Sequence, residues 1–124
     1  MNQANDIPTR APFSHQRLRA WGVALQALAL CDGAAKRLGR GYGPLADQLR
    51  RASQSACLQV AEGAAKVGAE RAQRLRGARA EASEAAAALE AASVLGLLPA
   101  SEVAQAMNEL GRLCAMLVKL ERLS

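Results

Sequence analysis

The residues of this chain with chemistry to offer are one histidine, three cysteines, a glycine-rich loop and many arginines. His15 stands among Gln16, Arg17 and Arg19. A general base needs a nucleophile or an orienting carboxylate within hydrogen-bond reach, and no such constellation exists here, so His15 reads as a surface residue. Cys31, Cys57 and Cys114 are odd in number, far apart and embedded in helical patterns. That usage fits reduced, buried thiols in a cytoplasmic protein, with neither a disulfide nor a metal site. Glu81, Glu84 and Glu90 lack the Glu-x-x-His spacing of di-iron helical proteins. The loop Gly39-Arg40-Gly41-Tyr42-Gly43-Pro44 superficially resembles a phosphate cradle. It has no preceding strand and no Gly-Lys-Ser/Thr after it, so it reads as a turn. The expectation is a protein that is not an enzyme, with no cofactor and no metal.

The arginines say more. Of 16 basic residues, 13 are arginine, against 11 acids, for a net charge of +5. Arg71, Arg74, Arg76 and Arg79 follow one another with no acid between them, and Glu81, Glu84 and Glu90 come after. At helical spacing these four arginines fan over about 200°, flanking Leu75 and Ala78 on both sides. Some are expected to pair with carboxylates such as Glu62 or Glu84. Others stay free, and a guanidinium fork holds phosphate as readily as carboxylate. The expected nucleic-acid contacts are Arg50, Arg51, Arg71, Arg74 and Arg76. Binding to RNA or DNA would be led by shape, because Phe13, Trp21 and Tyr42 are the only aromatic residues to stack on bases. The alternative is that the same residues cement an oligomer that acts as a scaffold or adaptor with no nucleic-acid role. Light composition supports an oligomer: Leu25, Ala29, Leu58, Leu113 and Leu120 lie off the main apolar stripes and imply surface beyond one core.

The elements that must position these groups are helices. Hydrophobic residues make up 51% of the 124, mostly alanine and leucine, and no period-2 run suggests a strand. Residues 1–13, with Pro8 and Pro12, read as a flexible lead-in, and residues 14–124 as one domain. Four helices are predicted at about 14–38, 44–66, 69–95 and 101–123. Ser14 is expected to cap the first and Ser101 the fourth, with Glu102 in its opening turn. The predicted buried stripes are Trp21, Ala24, Leu28, Cys31, Ala35 and Leu38; then Leu45, Leu49, Ala52, Ala56, Val60 and Gly63; then Leu75, Ala78, Ala82, Ala85, Leu89 and Ala92; and finally Val103, Met107, Leu110, Cys114 and Leu117. Short connections between such helices predict an all-α, antiparallel, up-and-down four-helix bundle. No stretch is long and apolar enough to span a membrane, and none reads as an export signal.

Beside the stripe of the second helix runs a polar row, Gln48, Arg51, Ser55, Gln59, Glu62 and Lys66, spaced by three and four. It is either an inter-helix polar edge or a partner surface. Gln48-Leu49-Arg50-Arg51-Ala52, Ser55 and Val60-Ala61-Glu62-Gly63 resemble the hallmark segment of the four-helix-bundle family associated with intervening sequences in bacterial 23S ribosomal RNA genes, relatives of the accessory variability proteins of diversity-generating retroelements. The likeness extends to Trp21 with Ala24 and to Ala78-Arg79, Glu84, Leu89, Leu95-Gly96 and Leu98, covering about Arg17 to Leu123. Gln48, Arg51, Ser55, Glu62, Arg79 and Glu84 form its polar motif here. Where the family usually has Ala-Arg-Gly-Ser, this chain has Ala78-Arg79-Ala80-Glu81. The resemblance implies a ring of five subunits and a basic surface that contacts nucleic acid or a nucleic-acid enzyme.

Overall fold

The computed structural model describes residues 12–124, so most of the expected lead-in, residues 1–11, lies outside the described residues. These residues form a 3₁₀ turn, Ser14–Arg17, and four helices: α1 (Arg19–Lys36), α2 (Gly43–Ala64), α3 (Gly68–Val94) and α4 (Ala100–Arg122). No strand occurs among them. The protein is all-α, as its alanine and leucine content requires.

The first helix does not begin at Ser14. Phe13, not Ser14, closes the opening turn: its N–H donates to Gln16 Oε1 at 3.1 Å, and the Gln16 N–H returns to the Phe13 carbonyl at 3.1 Å. Leu18 is then extended, at φ −90° and ψ 130°, and α1 starts after it. Ser101 likewise does not cap α4. The cap position is Pro99, whose carbonyl accepts from the N–H groups of Glu102 and Val103, and Ser101 is exposed in the first turn. Glu102 does stand in that turn, where a carboxylate complements the helix dipole. Between α3 and α4, Gly96 takes φ 71°. Its N–H bonds to the Ser93 carbonyl while the Leu97 N–H bonds to that of Ala92, a glycine stop that satisfies the last carbonyls of α3.

Each helix packs on two others, α1 on α2 and α4, and α3 on α2 and α4, around one apolar core. On α2 and α3 the predicted stripes point inward, except that Leu45 only leans on the core from the side. On α1 the buried face is rotated toward the smaller residues: Ala20, Val23, Ala24, Ala27, Cys31, Ala34 and Ala35 are buried, while Trp21 and Leu28 are half-buried at its edge. Alanine lets helix backbones approach closely, so the large side chains move to the flanks where there is room. The same rotation on α4 buries Ala106, Leu113 and Glu109, and leaves Met107 and Cys114 half-buried. Leu113, expected to be surplus surface, is therefore core, and Leu120 packs against the core. Leu25, Ala29 and Leu58 do remain exposed.

Candidate nucleic-acid interface

The polar row of α2 runs along its contact with α3. The Gln48 amide donates to Glu84 on α3, and Arg51 in turn donates to the Gln48 amide oxygen. Further along, Gln59 donates to Ser55 at 3.3 Å and lies over Gly77, where any Cβ would collide with its amide. One atom in the described residues is a buried side-chain oxygen with no hydrogen-bond partner: Glu81 Oε1. It stands where this chain departs from the Gly-Ser step of the family it resembles. Gln48, Ser55 and Glu84 thus belong to the seam between helices, and Glu62 is exposed.

The arginines divide by what their forks already hold. Arg71 is bound to backbone: its Nε donates to the carbonyls of Lys66 (2.8 Å) and Gly63 (3.2 Å), and its Nη2 to that of Ala64 (3.1 Å). A cation there satisfies the carbonyl end of α2. Arg79 makes a two-bond fork with Glu121 on α4, at 2.8 and 3.0 Å. That bond and charge hold the guanidinium above its ordinary pKa. The expected partners were Glu62 or Glu84, but Glu84 is taken by Gln48, and Glu121 is the carboxylate that meets Arg79. Arg50 lies 3.7 Å from both Asp32 and Asp47, toward the other end of α2 from Gly63, so the structure does not bring it together with Arg74 and Arg76. No hydrogen bond or ion pair among the described residues engages Arg74 or Arg76, and both are exposed.

The contacts gather like charge at one end of the molecule. Arg71 ties the start of α3 to the end of α2, Arg79 nearer the middle of α3 ties that helix to the end of α4, and the end of α4 shares a groove of about 460 Å³ with the start of α1, lined by Arg17, Arg19, Lys119 and the side chains of Leu18, Met116, Leu120 and Leu123. The segments 12–25, 56–80 and 114–124 that meet there carry nine cations (Arg17, Arg19, Lys66, Arg71, Arg74, Arg76, Arg79, Lys119, Arg122) against three carboxylates (Glu62, Glu70, Glu121), a balance of +6. The remaining described segments carry six cations (Lys36, Arg37, Arg40, Arg50, Arg51, Arg112) against seven carboxylates (Asp32, Asp47, Glu81, Glu84, Glu90, Glu102, Glu109), a balance of −1. Arg17, Arg19, Lys119 and Arg122 enter this end although the sequence does not mark them as contacts. Along any one helix they look dispersed, because the charges converge only when the ends of four helices meet.

A family model described as 23S rRNA-intervening sequence protein matches residues 23–119. The chain belongs to this family. The match takes in all of α2 and α3 and most of α1 and α4, and it leaves Trp21 just outside. No curated protein matches the chain. In this member of the 23S rRNA-intervening sequence protein family, no group of three or more His, Cys, Asp or Glu among the described residues could hold a metal ion, and no described helix is long and apolar enough to cross a membrane.

The thiols of this family member differ in accessibility. Burial pushes Cys31 from an ordinary 9.0 up to about 12. Cys57 is raised by burial as well; Cys114 is raised by burial and drawn partly back by the Arg79 charge. Thiolate is the reactive form, so the folded protein at mildly alkaline pH is expected to alkylate at Cys114 first, with Cys31 and Cys57 reacting only on unfolding. Peptide mass spectrometry after a short iodoacetamide pulse reads this directly. Because the folded Cys31 resists ionisation, its contribution to stability holds below pH 9 and is lost as the pH rises toward 12.

Proposed function

We propose that this protein is a non-catalytic, cytoplasmic homo-oligomer of antiparallel up-and-down four-helix bundles, whose basic end contacts the phosphates of RNA or DNA. The charge segregation carries the reading: nine cations and three carboxylates meet at one end, and Arg74 and Arg76 there have no carboxylate to neutralise them. Such a concentration of one sign raises the local potential and attracts a polyanion. The family's name, which ties it to intervening sequences of 23S rRNA, supports an RNA partner. The antiparallel course is supported by the ends that touch, since Gln48 near the start of α2 meets Glu84 far along α3, and Gly63 near the end of α2 meets Leu75 early in α3. The ring of five is what the family resemblance implies, and a nucleic-acid enzyme is a further candidate partner.

A second reading rests on a different surface. Leu25 and Leu58 are 43% and 62% exposed, and Leu25 lines a groove with Leu28, Ala29, Asp32 and Gln54. That face suits self-association, and in the scaffold reading it and the arginines together cement an oligomer with no nucleic-acid role. Reversing charge at Arg74 and Arg76 (R74E with R76E) separates the two. Loss of nucleic-acid affinity, with a salt slope shallower by about 2 on a log–log plot and an unchanged oligomer by light scattering, is the expected outcome. Loss of the oligomer with no nucleic-acid effect favours the scaffold.

A further inference from the structure

We infer that Phe13, His15 and Trp21 form a platform on which an unpaired base stacks, so that the nucleic acid taken by the basic end is single-stranded. This rests on the proposed phosphate contact and adds the class of strand.

Two of the three aromatic residues in the chain and its one histidine meet in a single ladder. Phe13 stacks on His15 with ring centroids 5.9 Å apart and planes at 23°, and His15 meets Trp21 edge-on at 4.5 Å and 69°. Trp21 is anchored, packed against the core. Phe13, at the outer end, is 62% exposed although His15 covers one side, which leaves the other face of the ring open. Its backbone is held by the paired bonds with Gln16, so the ring is fixed in advance and little ordering cost attends binding. The opening turn that carries His15 packs on α2 and α1, and Arg17 at its end lines the groove with Arg19 and Lys119, both exposed cations, so the ladder stands at the basic end.

An open aromatic face beside cations is the arrangement by which single strands are held: the backbone follows the charge and a base stacks on the ring, with little dependence on sequence. A duplex keeps its base faces inside its own stack and offers Phe13 nothing but an edge or a terminus. Phosphate contact alone would treat the two forms alike apart from charge density. The ladder is what makes them differ.

The test is fluorescence anisotropy with single strands of about 15 nucleotides, RNA and DNA, and the matching duplexes, at about 50 mM salt. The full chain is compared with Phe13→Ala, Phe13→Leu and Phe13→Trp. Phe13→Ala and Phe13→Leu are expected to weaken single-strand binding about fivefold or more while duplex binding stays the same, and Phe13→Trp to restore it. RNA and DNA strands should both show the loss, since the base face is what stacks. Trp21 emission should change on adding single strand. Salt-sensitive binding that is the same for the parent and Phe13→Ala overturns the platform and leaves the phosphate contact standing. No binding of any of these nucleic acids by the parent protein overturns both and gives this end to a protein partner. Unchanged melting of Phe13→Ala excludes misfolding as the cause of a loss.

Discussion

Leu89→Ala is expected to lower the free energy of unfolding by about 2–5 kcal/mol, read from a denaturant titration at fixed protein concentration. The buried face of α3 is Leu75, Ala78, Ala82, Ala85, Ala88, Leu89 and Ala92, so only two of its side chains are larger than alanine. Leu89 is fully enclosed, at 0% exposure. Alanine neighbours have no rotamers with which to fill a void, and the backbones around it are already close. The cavity left by the lost methyl groups therefore stays open and its cost stays near the upper part of the range for such substitutions. Leu89→Met keeps the volume and is expected to cost less than about 1.5 kcal/mol. A loss below about 1 kcal/mol for Leu89→Ala would contradict this packing of α3.

Gly63→Ala and Gly111→Ala are expected to have opposite signs, although each replaces a helical glycine. A Cβ at Gly63 would sit 2.9 Å from Leu75 Cδ2 and 3.1 Å from its Cγ, and Leu75 is itself 1% exposed with nowhere to retreat. Overpacking of this kind costs about 1–3 kcal/mol, and Gly63→Val should lie at or beyond the top of that range. A Cβ at Gly111 meets nothing within 4 Å. There the gain in helix propensity, about 0.5–1 kcal/mol, should appear unopposed as a raised midpoint. Equal effects at the two positions would mean that the Gly63–Leu75 contact does not limit how closely α2 and α3 approach.

The candidate site was only partly legible in the chain. Arg74 and Arg76 stand out in the sequence as cations without nearby acids, and they are indeed exposed and unengaged. Arg71 looks the same on paper, yet its fork is occupied by the carbonyls of Gly63, Ala64 and Lys66. Helical spacing records the direction in which a side chain leaves its own helix, and says nothing of the helix end lying opposite. The neighbour of Arg50 is hidden for a similar reason, since Asp32 is on α1.

By itself, the sequence determined the class of fold, the number of helices and, except for the start of the first, their bounds to within about two residues, because alanine and leucine at steps of three and four favour helix, and glycine at Gly39, Gly41 and Gly96 takes the positive φ that turns there require. It also carried the family, through the Gln-Leu-Arg-Arg and Ala-Glu-Gly blocks of α2. Tertiary structure alone decided which face of α1 is buried, since close helix contact favours its small residues over Trp21. It alone joined His15 to Trp21, which in a continuous helix would leave the axis about 120° apart; the extended Leu18 breaks that helix and lets the rings meet. And it alone made a basic end, because charges dispersed along four segments become one field only when packing sets the ends of those segments side by side.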